Sequence, residues 1–386
     1  MKIYHQAGFR TLWNLESHTK DGTGDGIIWS PVNESLSTLN SVSPSVRSCS
    51  FLDPQLYLPH DSKGKLATYG YSPEEISPKW TTSDFESIKY ESAEKCLMVQ
   101  RSANFEYDVI PTRFEQNILT DHYRRATDDF VEPYIQLRSR QEIKPPLLLS
   151  VIARRIQIID EQSRDELLNW ITSHQEIAGV YIIFDSETSS KQIKDALYLE
   201  GVLRIISGLR LNGLEVHVGY CNTEAILYSV ADPSSISIGS YENLRRFSIG
   251  RFETKDKAGG RGPNPRLYVP SLLQWIEYGY VGALDRLVPE WMQLRHNNPY
   301  EREMFTPTFK WHFSKPQLYK HYFSAFADQV RLLEKDIIIR TEQVSLWIDH
   351  ALKWFNYIQS KNVLLDSDSD GSHLSHWRNA LSLFRQ

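Results

Sequence analysis

Four strand-length apolar runs, spaced by helix-length segments between residues 145 and 247, constrain this chain more than any other feature. They fall at Leu147–Ala153, 179–185, 214–220 and 235–240. A strand that leads through a helix to a second strand running the same way is the βαβ unit. Its repetition implies a parallel sheet covered by helices. The intervening segments fit: 160–175 carries Leu167, Leu168, Trp170 and Ile171, and 190–211 carries Ile193, Leu197, Leu203 and Ile206, all at helical spacing.

Extending the pattern in both directions gives eight strands: 26–30, 48–52, 105–110, Leu147–Ala153, 180–185, 214–219, Ser235–Gly239 and Arg266–Val269. Eight parallel strands in about 250 residues is the arithmetic of a (β/α)8 barrel. The expected fold class is therefore α/β: a TIM-like barrel over 1–270, followed by an aromatic-rich helical region over 271–386. An open doubly wound sheet is the structural alternative and would need fewer strands. Residues 56–104, with prolines at 59, 73 and 78 and many serines, read as a long insertion of the kind that forms lids or binding loops. Segment 113–139 reads as a long helix interrupted near Pro133.

Composition narrows the class of protein. Of 386 residues, 41% are hydrophobic and 24% charged, and the net charge is −5. That balance argues against a surface coated in positive charge for non-specific nucleic-acid binding, and is compatible with a local basic groove. The three cysteines, Cys49, Cys96 and Cys221, lie far apart with no CxxC, which fits a reducing cytoplasm and gives no zinc motif. No run approaches 18 apolar residues, and residues 1–14 lack the charged and apolar regions of a signal peptide. A cytoplasmic protein without membrane contact is expected. No GxGxxG, GxxxxGK, HExxH or GxSxG occurs, so neither cofactor nor metal is expected. Residues 366–371 (DSDSDG) match the opening of a calcium loop, but Leu374 and Trp377 stand at its ninth and twelfth positions, so they read as an acidic linker.

In a barrel, chemistry sits at the carboxyl ends of the strands. Two carboxylates fall there, Asp53 and Asp185, and either could serve as nucleophile or general acid/base if its environment shifts its pKa. Each could equally be structural: Asp53 precedes Pro54 and could make an Asx turn, and Asp185 could cap the next helix. Gln55 and Tyr57 follow Asp53 and are candidate substrate contacts. In the run Leu214-Glu-Val-His-Val-Gly219, Val216 and Val218 would face the helices, while Glu215 and His217 would face the interior. His217 is then a proton-transfer candidate or a satisfied core histidine. Ser240, Arg245 and Arg246 follow the seventh expected strand, and Arg261 lies in the glycine-rich basic loop 257–266. Helix N-termini and backbone N–H groups in this part of a barrel commonly meet a phosphate, so these residues are candidate anion contacts.

Segment 214–247, with Val218-Gly219-Tyr220, a helix and a strand ending at Gly239-Ser240, resembles the later strands of tRNA-guanine transglycosylase-type barrels over under a tenth of the chain. That resemblance implies nucleobase exchange by catalytic aspartates. Here Gly239-Ser240-Tyr241 stands where that family has an aspartate, and no four-ligand zinc motif follows, which leaves Asp53 and Asp185 to supply carboxylates. Gly24-Asp25-Gly26-Ile27-Ile28 and Leu52-Asp53-Pro54-Gln55 are similar to segments of uncharacterised bacterial proteins of antiviral defence, which implies a setting and no reaction. The functional expectation is a barrel that acts on or binds a nucleotide or nucleic acid, by nucleobase or glycosyl transfer or by hydrolysis. The alternative is a catalytically silent barrel scaffold that docks a partner protein, or a second copy, through its C-terminal helices.

Overall fold

The computed structural model describes residues 1–58, 64–77, 85–140, 144–188, 190–253 and 262–386. Eight parallel strands form one sheet: β1 (Lys2–Gln6), β2 (Gly26–Trp29), β3 (Phe51–Leu52), β4 (Asp108–Ile110), β5 (Leu147–Ala153), β6 (Gly179–Phe184), β7 (Glu215–Gly219) and β8 (Ser235–Gly239). β1 lies between β2 and β8, so the sheet curls into a barrel whose seam falls between β3 and β4. Among the described residues one backbone hydrogen bond, Glu106 N to Ser50 O at 2.9 Å, bridges that seam.

The count of eight holds, but its membership differs from the sequence reading at both ends. The first barrel strand is Lys2–Gln6, which the sequence pattern passes over. Arg266–Val269 is not a barrel strand: as β9 it pairs antiparallel with β10 (Gln274–Glu277) in a separate two-stranded sheet. The basic loop therefore follows the last barrel strand instead of preceding it.

Helices cover the outside. α1 (Thr11–Asp21) follows β1 and α2 (Phe85–Ser102) precedes β4. α2 buries Phe85, Ile88, Cys96 and Leu97, so the expected 56–104 insertion carries in its second half the helix that a β/α unit requires. The expected helix over 113–139 begins only at His122 and then runs without a gap, from His122–Ala126 through a π-helical stretch at Thr127–Val131, just before Pro133, into α3 (Glu132–Ser139). α4 (Glu161–Thr172) and α5 (Ala196–Leu211) begin where Asp160 and Asp195 accept from the backbone N–H of Ser163 and Tyr198. After β7 there is only a short stretch, the helical turn Ala225–Tyr228 continued by a 3-10 turn at Ser229–Ala231, every residue of it buried. The C-terminal region supplies the missing cover. α6 (Pro316–Arg331) packs on α1, α7 (Ile337–Ser360) on the turn after β7, and α8 (Ser372–Phe384) on α5.

Alternation along the strands separates two cores. Ile27, Trp29, Val180, Ile182, Val216, Val218, Ile236 and Ile238 face the helices, whereas Tyr4, Ile28, Tyr107, Val109, Leu148, Ile152, Tyr181 and Ile183 fill the barrel. Phe51 is the hub of this interior, edge-on to Tyr4, Tyr107, Tyr181 and His217 with centroids 5.0 to 5.9 Å away. No helix among the described residues is long and apolar enough to cross a membrane.

Candidate active site

The end of β3 builds the site. Asp53 continues the ladder, its N–H bonded to Trp29 O at 3.0 Å, and its side chain turns into the barrel mouth, fully buried. Three tyrosines converge on it. Tyr57 Oη lies 2.7 Å from both carboxylate oxygens, and Tyr181 Oη and Tyr220 Oη each lie 3.3 Å from Oδ2. Gln55 adds its backbone N–H at 3.3 Å to Oδ1 and its side-chain amide at 3.4 Å to Oδ2. Gln6, at the end of β1, accepts from Tyr181 Oη at 3.4 Å. Asp53, Gln55 and Tyr57 thus come together as one cluster, joined by Gln6, Tyr181 and Tyr220.

Two of these positions carry backbone strain. Gln55 and Tyr220 have φ of +56° and +55°, and Glu187, after β6, has +54°. Among the described residues, three of the eight non-glycine positions with positive φ therefore sit at the carboxyl ends of barrel strands. Such conformations cost about 1 kcal/mol or more each and persist where surrounding structure over-determines them, often at functional sites. At Tyr220 the left-handed turn accompanies a side chain aimed back at Asp53.

Burial pushes the Asp53 carboxyl up from 3.8 to about 6, against the opposing pull of the Tyr57, Gln55 and Tyr181 hydrogen bonds. The tyrosine hydroxyls rise further above 10, also through burial, so near neutrality they act as neutral donors. Phe247 and Phe252, from the segment after β8, pack edge-on against Tyr57 at 5.5 and 4.8 Å, and Phe247 also against Tyr220 at 5.6 Å. These rings shield the acid from water.

Asp185 belongs to a different group and shares no hydrogen-bond partner with Asp53. It is ion-paired with Arg154 Nε at 3.3 Å and accepts from Glu187 N at 3.2 Å. Burial raises its pKa, with the Glu187 N–H and the Arg154 charge opposing. Arg154 also binds Glu187 at 2.5 Å, and with Arg155, Gln116 and Asn117 it lines an open cleft of about 1060 Å³ beside β5 and β6. Through these partners Asp185 links the segments that follow β5 and β6.

His217 faces the interior, as alternation requires, but toward the opposite end of the barrel. The Phe51 layer lies between it and Asp53. Its Nε2 is 3.1 Å from Glu215 Oε2, its Nδ1 is 2.8 Å from Ser235 Oγ, and Tyr107 Oη donates to the same Glu215 oxygen at 2.7 Å. The His217 hydrogen bond, aided by Tyr107, holds the Glu215 carboxyl down at about 2. This network plugs the amino-terminal mouth.

The basic residues divide. Arg246 donates to Ser190 O at 2.5 Å, and together with Lys191, Ser186, Glu224 and Tyr220 it lines a small cavity of about 20 Å³ at the ends of β6 and β7. That is room for about one water-sized group. Burial pushes the Glu224 carboxyl up to about 7. Arg245 is itself buried, with Nη1 donating to Ser240 O at 2.6 Å and its guanidinium 4.0 Å from the Trp275 ring. Ser240 is fully buried, and Arg261 lies outside the described residues.

Lys191, Tyr181 and Glu224 were not singled out from sequence. Tyr181 lies inside an unbroken apolar run, and nothing local marks its hydroxyl as a ligand of Asp53. The acidic run at 366–371 is drawn onto cations, Asp366 and Asp368 to Arg266 at 3.7 and 3.8 Å and Asp368 also to Lys191 at 3.3 Å, which ties it to the barrel top. No group of three or more histidines, cysteines or acids positioned for a metal occurs among the described residues. Comparison with protein-family models and with curated proteins finds no match for this chain.

Proposed function

We propose that this barrel acts on a nucleotide or nucleic acid, with Asp53 as the proton-handling group. One observation carries the reading: Tyr220 bonds Asp53 through its hydroxyl and is also among the residues that line the small cavity edged by Lys191, Arg245 and Arg246. A proton donor poised near neutrality thereby adjoins three cations, the groups that would meet a phosphate brought to the barrel mouth outside this water-sized cavity. The chemistry that fits is nucleobase or glycosyl transfer, or hydrolysis. Asp53 hands its proton to the leaving base as the glycosidic bond breaks, then takes one from the attacking group. The tyrosine hydroxyls stabilise the carboxylate formed between these steps. The three free cysteines suit a cytoplasmic setting, and a role in antiviral defence rests on the sequence resemblance alone.

Native mass spectrometry of the protein isolated from its host without nuclease treatment tests the proposal. A co-purifying nucleotide or oligonucleotide that changes in mass or disappears with Asp53→Asn supports it. Bound nucleic acid indifferent to that substitution refutes a role for Asp53. The alternative, a silent scaffold docking a partner through its C-terminal helices, draws on Ile338, Ile339 and Leu346, exposed on one side of α7. Capture of a partner protein that Ile339→Asp and Leu346→Asp release, with no nucleotide bound, would favour it.

A further inference from the structure

Arg245 is 5% exposed, and among the described residues no carboxylate lies within ion-pair distance of it. Its Nη1 is used by Ser240 O, its Nε has no partner, and its face is stacked 4.0 Å from Trp275 and 5.6 Å from Tyr322. A cation removed from water is costly unless paired, and aromatic faces offset only part of that cost. Arg245 also forms the wall of a second cavity, of about 410 Å³, between the barrel top and the C-terminal region. Its other walls include Phe9, Tyr241, Trp275, Phe313 and Tyr319. The remaining charges on that lining are already compensated. Arg266 is held by Glu277, Asp366 and Asp368, and Glu242 by Lys191 at 3.2 Å. Arg245 is thus the one charged side chain on that lining, among the described residues, without a direct ion-pair partner; Glu242 and the buried Glu224 act on it only from beyond contact distance.

We propose that this cavity binds a planar aromatic anion of nucleoside-monophosphate size, its ring against the Phe9, Tyr241 and Tyr319 wall and its anionic group on Arg245. The volume falls within the 300–1,000 Å³ typical of small-molecule sites. Aromatic walls with one convergent cation are what such a ligand requires: stacking surface for the ring and a charge-assisted donor for the phosphate. The site shares Arg245 with the small cavity beside Tyr220 but none of the residues bonded to Asp53, and it holds whether or not Asp53 works as an acid.

Isothermal titration with adenosine monophosphate, uridine monophosphate, adenosine and ribose 5-phosphate tests the assignment on the full chain. The two monophosphates should bind at one site, and adenosine and ribose 5-phosphate should each bind at least about tenfold more weakly. Arg245→Gln should weaken the monophosphates by about tenfold or more and leave adenosine unchanged. If that buried substitution impairs folding, Phe9→Ala decides, because Phe9 is 61% exposed; it should weaken every ligand that carries a nucleobase and leave ribose 5-phosphate as it was. Asp53→Asn should leave the affinities as they were. Absence of monophosphate binding, equal affinity for adenosine and its monophosphate, or indifference to Phe9→Ala would overturn the proposal. Loss of binding on Asp53→Asn would move the ligand to the barrel mouth and overturn it as well.

Discussion

Removing the charge at Asp53 should change how stability depends on pH. Burial raises this carboxyl from 3.8 to about 6 in the folded protein, whereas in the unfolded chain it titrates near its ordinary value. The folded state therefore holds a proton over a pH range in which the unfolded state has released it. The stabilisation is fully present below pH 3.8 and is lost as pH rises through about 6. Its full size is about 3 kcal/mol, and about 2 kcal/mol of it lies between pH 4.5 and 7.5. Because the side chain is fully buried, solvent screening does not reduce this figure. Asparagine has the same shape and does not titrate. The stability of Asp53→Asn minus that of the parent should consequently rise by about 2 kcal/mol from pH 4.5 to 7.5. Glu224, also raised by burial, is common to both proteins and cancels in the difference. Urea unfolding of the two proteins at both pH values measures the quantity. A difference that stays constant within about 0.5 kcal/mol would mean that Asp53 is not desolvated, and the proton-handling argument would fail with it.

Phe252→Ala should cost about 3–5 kcal/mol of stability and admit water to the tyrosine cluster. The pH-dependent stability difference between the parent and Asp53→Asn, remeasured with Phe252→Ala present in both, should shrink below about 1 kcal/mol. Glu215→Gln should cost about 1 kcal/mol at neutral pH, damped by the half exposure of that side chain. Its depressed pKa contributes stability above pH 4.5 that disappears as pH falls toward 2, so the acid limb of the unfolding profile should flatten in the variant. Gly201→Ala on α5 would place a Cβ 2.1 Å from the carbonyl oxygen of Ile158, and thermal melting should report a loss of about 1–3 kcal/mol.

The parallel barrel was legible in the sequence because its central strands are buried on both faces. Leu147–Ala153 and Gly179–Phe184 are apolar almost throughout, and no context is needed to read them. Asp53 could be found for a related reason: an acid at the end of such a run stands out, and Gln55 and Tyr57 follow within four residues. β1 was hidden because KIYHQ carries polar side chains that only tertiary partners satisfy. His5 lies 2.9 Å from Thr23 O and 3.3 Å from Asn14, and Gln6 meets Tyr181 from across the barrel. Arg266–Val269 misled for the opposite reason. Its composition suits a parallel strand and an antiparallel hairpin equally, and the choice is made by Gln274–Glu277 beside it.

Local sequence thus determined strand character, the helix start at Asp160 and one acid at the barrel mouth, whereas the helix expected over 190–211 starts only after Asp195. The convergence of Tyr57, Tyr181 and Tyr220 on Asp53, the placing of His217 at the other mouth and the burial of Arg245 against Trp275 were decided by tertiary structure. Each depends on strand register or on contacts between residues up to about 170 positions apart. A pKa is set by such neighbours and by the water they exclude, and the chain's local pattern contains neither.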